Sequence, residues 1–204
     1  MFVAEAEKKL INNPNLFDIV RGQYKGRRGQ ELERRLGLRN GSTLIDFVDG
    51  ELKSFTDEQS IKITVLNHCL EEIIDNKVEF KDSKVYKKIK TVIFVPFNKS
   101  ANGGRFIGWK TIRMEDSENR EMFEKILEDF EYITEEIRKR YNAGKELKTI
   151  TGPNKTIQIR TADSKSKTTG EYRPLLFKGN QLYDKQMAFY YTARFGRDFI
   201  KKYF

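Results

Sequence analysis

Residues 91–96 read Thr-Val-Ile-Phe-Val-Pro, a near-continuous apolar run fed by the basic segment 86–90. Such a run predicts a central strand, and the rest of the chain has to be arranged around it. Residues 117–142 predict the clearest helix, because Met122, Ile126, Phe130, Ile133, Ile137 and Tyr141 form an apolar stripe at helical spacing. Its other face holds acids and is expected to be solvated. Shorter helices are predicted over 2–11, ended by Asn12, Asn13 and Pro14, and over 26–36, where Gly37 is a stop signal. Residues 60–66 and 156–160 alternate with period two, as half-buried strands do, and 105–114 offers another strand. The pair Asp49-Gly50 between two short apolar runs is a hairpin signal. His68 and Cys69 are read as partly buried strand neighbours on opposite faces, not as a catalytic pair. Residues 162–172 are polar and basic, a loop of the kind that carries function on a rigid scaffold. With no internal repeat or long linker, the expectation is one α/β domain over 1–204 with a mixed sheet.

Composition narrows the function classes. No stretch approaches the ~18 consecutive apolar residues of a membrane helix, and the N-terminus lacks the apolar core of a secretory signal. Cys69 is the single cysteine, so an intramolecular disulfide and Cys-rich zinc sites are excluded. A reducing, cytoplasmic setting is expected. The net charge is +9, unevenly spread: residues 115–140 hold ten acids against five bases, while 145–204 hold thirteen bases against five acids. Clustered Lys and Arg suit a polyanion partner, because phosphate neutralisation rewards them; a plain solubility surface is the alternative.

The segment Asp46-Phe-Val-Asp-Gly-Glu51-Leu-Lys53 carries the chemistry. Residues two apart on a strand share a face, so Glu51 and Lys53 project the same way. A turn at 48–50 would bring Asp46 beside Glu51, and two carboxylates and an ammonium would converge. Mg²⁺ binds through one or two carboxylates plus phosphate oxygens and water, so this set suits phosphodiester hydrolysis. Metal and Lys53 would activate a water and offset the charge of the pentacovalent phosphate. Asp49 shares the face of Glu51 and Lys53 and is the alternative ligand to Asp46. A surface strand of alternating charge would have the same pattern.

Beyond that segment lies an ordered series. KGRRGQELERRLG at 25–37 precedes GELK at 50–53; KKIKTVIFVPF follows at 87–97, DFEYITEEIRKRYNAG at 129–144, TIQIR at 156–160 and AFYYTARF at 188–195. In this order the series resembles the MutH-type endonucleases and their restriction-enzyme relatives, over roughly residues 25–204. The resemblance implies a restriction-endonuclease-like fold, a central mixed sheet flanked by helices. It also implies Mg²⁺-dependent cleavage of double-stranded DNA leaving 5′-phosphates, with GATC as the expected site. Position by position, Asp46, Glu51 and Lys53 resemble the metal-binding and lysine positions. Glu33 resembles an additional acid from the preceding helix, and Lys88 a further active-site lysine. Lys25 resembles a residue near the DNA backbone, and Arg160 and Tyr190 resemble DNA-contacting positions.

Each assignment has a structural rival. Glu33 would pair with a neighbouring arginine on a helix surface, Lys88 would be a solvated base, Arg160 would be in an ion pair, and Tyr190 would be a core aromatic. Two departures from the family pattern stand out. The spacing from Asp46 to Glu51 is shorter, and the family's LQIRPK reads IQIRTAD here, with Ala162 replacing a base-reading lysine. Lys165 or Lys167 is expected to reach the groove instead. The expected setting is a type II restriction system, with a cognate DNA methyltransferase as functional partner and the nuclease a monomer or homodimer. A mismatch-repair nickase and a non-cleaving DNA-binding module are the alternatives.

Overall fold

The computed structural model describes residues 1–17, 25–38, 47–98, 105–162 and 170–204, with 25–28 described by backbone alone. The chain opens with α1 (Val3–Asn12) and α2 (Lys25–Leu36), then β1 (Glu51–Thr56) and β2 (Ile61–Val65). Helix α3 (Lys84–Ile89) leads into β3 (Thr91–Asn98), followed by β4 (Arg105–Phe106) and β5 (Lys110–Arg113). The long α4 (Arg120–Asn142) precedes β6 (Ile150–Thr151), β7 (Ile157–Thr161), β8 (Leu175–Phe177), β9 (Asn180–Tyr183), β10 (Met187–Tyr191) and the closing α5 (Ala193–Tyr203).

The fold is mixed α/β, and its strands divide between sheets. In a mixed sheet β3 lies parallel to β1 and antiparallel to β4 and β5. A second sheet, antiparallel throughout, has the order β2-β10-β7-β6, and β8 and β9 form a separate hairpin. The apolar run is central because β3 is covered on both faces. Ile93, Val95 and Phe97 pack with Val3, Leu10, Leu32 and Leu36 of α1 and α2. Val92 and Phe94 face the larger core, which takes residues from both sheets and from α3, α4 and α5. Gly196 lets α5 approach β1, since a Cβ there would lie 3.3 Å from the Phe55 ring.

Two local expectations are corrected, those for His68 and Cys69 and for the acids of α4, and Gly50 shows a packing role that its hairpin signal does not carry. Gly50 is not in the left-handed region that an Asn-Gly or Asp-Gly hairpin turn uses. It is a close-approach glycine: a Cβ would stand 2.7 Å from both the Thr91 carbonyl and Val3 Cγ2. Phe47 N–H donates to the Gly50 carbonyl at 3.0 Å, and the other expected arm of the hairpin, 42–46, lies outside the described residues. His68 is exposed and ends a 3-10 turn (Leu66–His68), with Cys69 buried just after it, so neither is on a strand. The acids of α4 are not all solvated, because Asp129 is fully buried. Its carboxylate accepts the backbone N–H of Asn154 at 2.7 Å, of Thr156 at 2.7 Å and of Ile157 at 3.0 Å, as well as the Thr156 hydroxyl. A helix acid thereby shapes the turn between β6 and β7.

Candidate active site

Strand period and sheet register together build the site. Glu51 pairs with Val92 and Lys53 with Phe94 in the parallel register, so both charged side chains leave β1 on the side of the larger core. Glu51 stands at the first position of β1 and is only 3% exposed. A carboxylate so placed must be paired, since burying an unpaired charge costs several kcal/mol. Lys53 supplies one partner, its Nζ 2.7 Å from Oε2. Lys88 supplies the other, its Nζ 2.5 Å from Oε1.

Lys88 arrives through the α3–β3 junction. Ser83 caps α3 by accepting the Tyr86 N–H at 3.0 Å, and Val85, Tyr86 and Ile89 bury the helix against the core. Because β3 starts at Thr91 and Val92 lies beside Glu51, the last turn of α3 ends next to the carboxylate. The rival reading of Lys88 as a solvated base is not what the structure has: its side chain is 15% exposed, and that of Lys53 is 16% exposed.

Glu33 lies half-buried on α2, the helix that packs over β1 with Gly29 close to Ser54. It is not among the groups bonded to Glu51. Asp49 accepts the Val3 N–H at 2.7 Å, so it holds the N-terminus of α1. Asp46, Lys165 and Lys167 lie outside the described residues, and Lys25 is described by backbone alone. Among the described residues no group of three or more His, Cys, Asp or Glu side chains is gathered.

Arg160 and Tyr190 come together on the antiparallel sheet, the guanidinium 5.6 Å from the ring centroid. Among the described residues no carboxylate pairs with Arg160, and Tyr190 is half-buried rather than in the core. The core tyrosine is its neighbour Tyr191, fully buried, with a hydroxyl that has no hydrogen-bond partner among the described residues. Burial, and secondly the Glu51 charge, push its pKa far up, so it stays a neutral phenol. Cys69 is no nucleophile either, its thiol pushed up to about 12, chiefly by burial.

Two residues near the site escape a reading of the sequence by motif. Tyr191 is one; Lys62 on β2 is the other, its pKa lowered by desolvation and then by the charge of Lys53. The signal for Lys62 was present, as the outward residue of an alternating strand that follows the Glu-x-Lys segment. Among the described residues no helix is long and apolar enough to cross a membrane. Compared with protein-family models and with curated proteins, the chain has no match.

Proposed function

We propose that this chain is a Mg²⁺-dependent endonuclease of double-stranded DNA, with a restriction-endonuclease-like scaffold of the MutH type. The observation that carries the reading is the Glu51 carboxylate held by Lys53 from its own strand and by Lys88 from α3. An acid followed by Glu-x-Lys is common on surface strands, where the charges are solvated. Here the Glu is buried and a second lysine from a distant segment converges on it, which a solvated strand has no reason to arrange. The basic balance of 145–204 and the ordered segments from 25 to 195 support the same reading.

The donor set fits a hard cation. Mg²⁺ asks the protein for one or two carboxylates and takes its other ligands from phosphate and water. Glu51 would hold it with Asp46, the favoured second acid because Asp49 is engaged by α1. When bound, the ion supplies a water of lowered pKa and polarises the phosphoryl oxygen. The chain's own residues do the rest. Lys53, on the same face as Glu51, donates to a non-bridging oxygen and offsets the negative charge that grows there in the transition state. Lys88 holds the remaining Glu51 oxygen and fixes the carboxylate's orientation. Glu33 keeps its place in the catalytic set on the resemblance alone, since α2 packs over the face of β1 opposite Glu51 and Lys53. Lys25, Arg160, Lys165, Lys167 and Tyr190 engage the duplex. GATC is the first site to try, a cognate DNA methyltransferase is the functional partner, and the nuclease works as a monomer or homodimer.

The test is purified protein with supercoiled plasmid and Mg²⁺, beside Glu51→Ala and a chelator control. Metal-dependent fragments with 5′-phosphate ends, lost in Glu51→Ala, are expected. Open circles without linear product would reassign it as a nickase. Binding with no cutting under several metals and methylation states would overturn the catalytic reading.

A further inference from the structure

The solvent face of the antiparallel sheet carries a polar row that leads away from Glu51. Gln158 of β7, Tyr190 of β10 and Lys62 of β2 are register partners across three strands. Their strand neighbours Ile157, Ile159, Phe189, Tyr191, Ile61 and Ile63 bury into the core, so the row itself faces outward. Arg160, two residues beyond Gln158, lies on the same face with its guanidinium over Tyr190. Ser60 joins the two, accepting from Gln158 Nε2 at 3.2 Å and from Arg160 at 3.5 Å. The register shifts between Phe189 and Tyr190, and that irregularity sets Tyr190 against Lys62.

The polar row carries two cations, Lys62 and Arg160, on one sheet face. Elsewhere Arg34 and Arg35 pair with Glu31, Arg113 with Glu7, Arg120 with Glu124 and Arg194 with Asp198. Lys62 and Arg160, among the described residues, have no carboxylate within ion-pair distance. Lys62 also stands in the repulsive field of Lys53, whose own carboxylate is shared with Lys88. A cation held beside another cation without an acid is relieved by an anion from outside.

We propose that Lys62 and the Tyr190-backed Arg160 form a phosphate track, binding the backbone of the DNA strand on one side of the phosphate that Glu51 and Lys53 address. This rests on the endonuclease reading of Glu51. The Arg160 guanidinium reaches Ser60, two residues before Lys62, so the two cations can hold phosphates of the same strand. Lys, Arg, Ser, Gln and Tyr are the side chains that contact phosphate and sugar, and these contacts set position without reading sequence. The track therefore holds the strand in register with the catalytic carboxylate, whatever the bases are.

The experiment measures binding of the full chain to a short fluorescent duplex of mixed sequence, in chelator so that nothing is cut. Salt is varied between about 50 and 200 mM. Lys62→Gln and Arg160→Gln are each expected to flatten the slope of log affinity against log salt by about 0.9, and together by about 1.8. The loss should be equal on two unrelated sequences. Lys8→Gln on α1 removes the same charge from an exposed helix face and should leave the slope unchanged. Wild-type slopes in both variants would overturn the track while leaving the nuclease reading intact. A loss confined to one sequence would overturn it in favour of base contacts. Flattened slopes in a protein that never cuts plasmid would uphold the track and sink the nuclease. No duplex binding by the wild type overturns both.

Discussion

Lys88 places its ammonium 2.5 Å from a Glu51 oxygen although 37 residues separate them. The oxygen opposite is held by Lys53, so one buried carboxylate has two cations on it. That arrangement makes the fold depend on Glu51.

Glu51→Gln should therefore destabilise as well as inactivate. Lys53 and Lys88 would lose the carboxylate both bond to, and the loss is expected at about 2 to 3 kcal/mol, below the fully buried range because both retain some solvent contact. Lys88→Met in that background should recover part of it. Urea unfolding of the single and double variants checks this, and a Glu51→Gln protein as stable as wild type would refute it.

Asp129 and Gly152 should behave as one unit. The carboxylate accepts three backbone N–H groups and a hydroxyl, and Asn would turn an NH₂ toward donors, so Asp129→Asn should cost about 2 to 3 kcal/mol. Gly152→Ala should cost a comparable amount, since the new Cβ would lie 2.1 Å from Asp129 Cγ. Thermal unfolding reads both, and a midpoint unchanged in either variant would show that the turn does not depend on this clamp.

The Glu7–Arg113 bridge predicts an acid-sensitive increment. Burial pushes the Glu7 carboxyl up, but the hydrogen bond and charge of Arg113 outweigh it, and its pKa falls below 4.5. A depressed folded pKa contributes stability that is present above the unfolded value and lost as pH falls through the folded one. Glu7→Gln should cost about 0.5 to 1 kcal/mol at neutral pH, a modest figure because Arg113 is 39% exposed. The gap between wild type and variant should close below about pH 4.5. A gap that widens on acidification would contradict the assignment.

Helices and strands with strong period were legible from sequence: α1, α2, α4, β2, β3 and β7 lie where apolar spacing and stop signals put them. The pairing of Glu51 with Lys53 was legible too, because a period of two is a local property of any strand. Lys88 was marked by resemblance, but its contact was not, since the arrival of a helix end at a strand start is set by packing. The close approach of Gly50 to α1 and Thr91 was not legible, because a local turn signal carries nothing about packing between distant segments.

The sequence by itself determined that the chain builds a mixed α/β core around residues 91–96 and that Glu51 and Lys53 share a face. Both follow from short-range periodicity. Tertiary structure decided that Glu51 is buried with Lys88 on its second oxygen, that Asp129 turns inward, and that Lys62 and Arg160 share a face with Tyr190. Each of these depends on the register between strands far apart in the chain, which burial of the shared core fixes and no local pattern encodes.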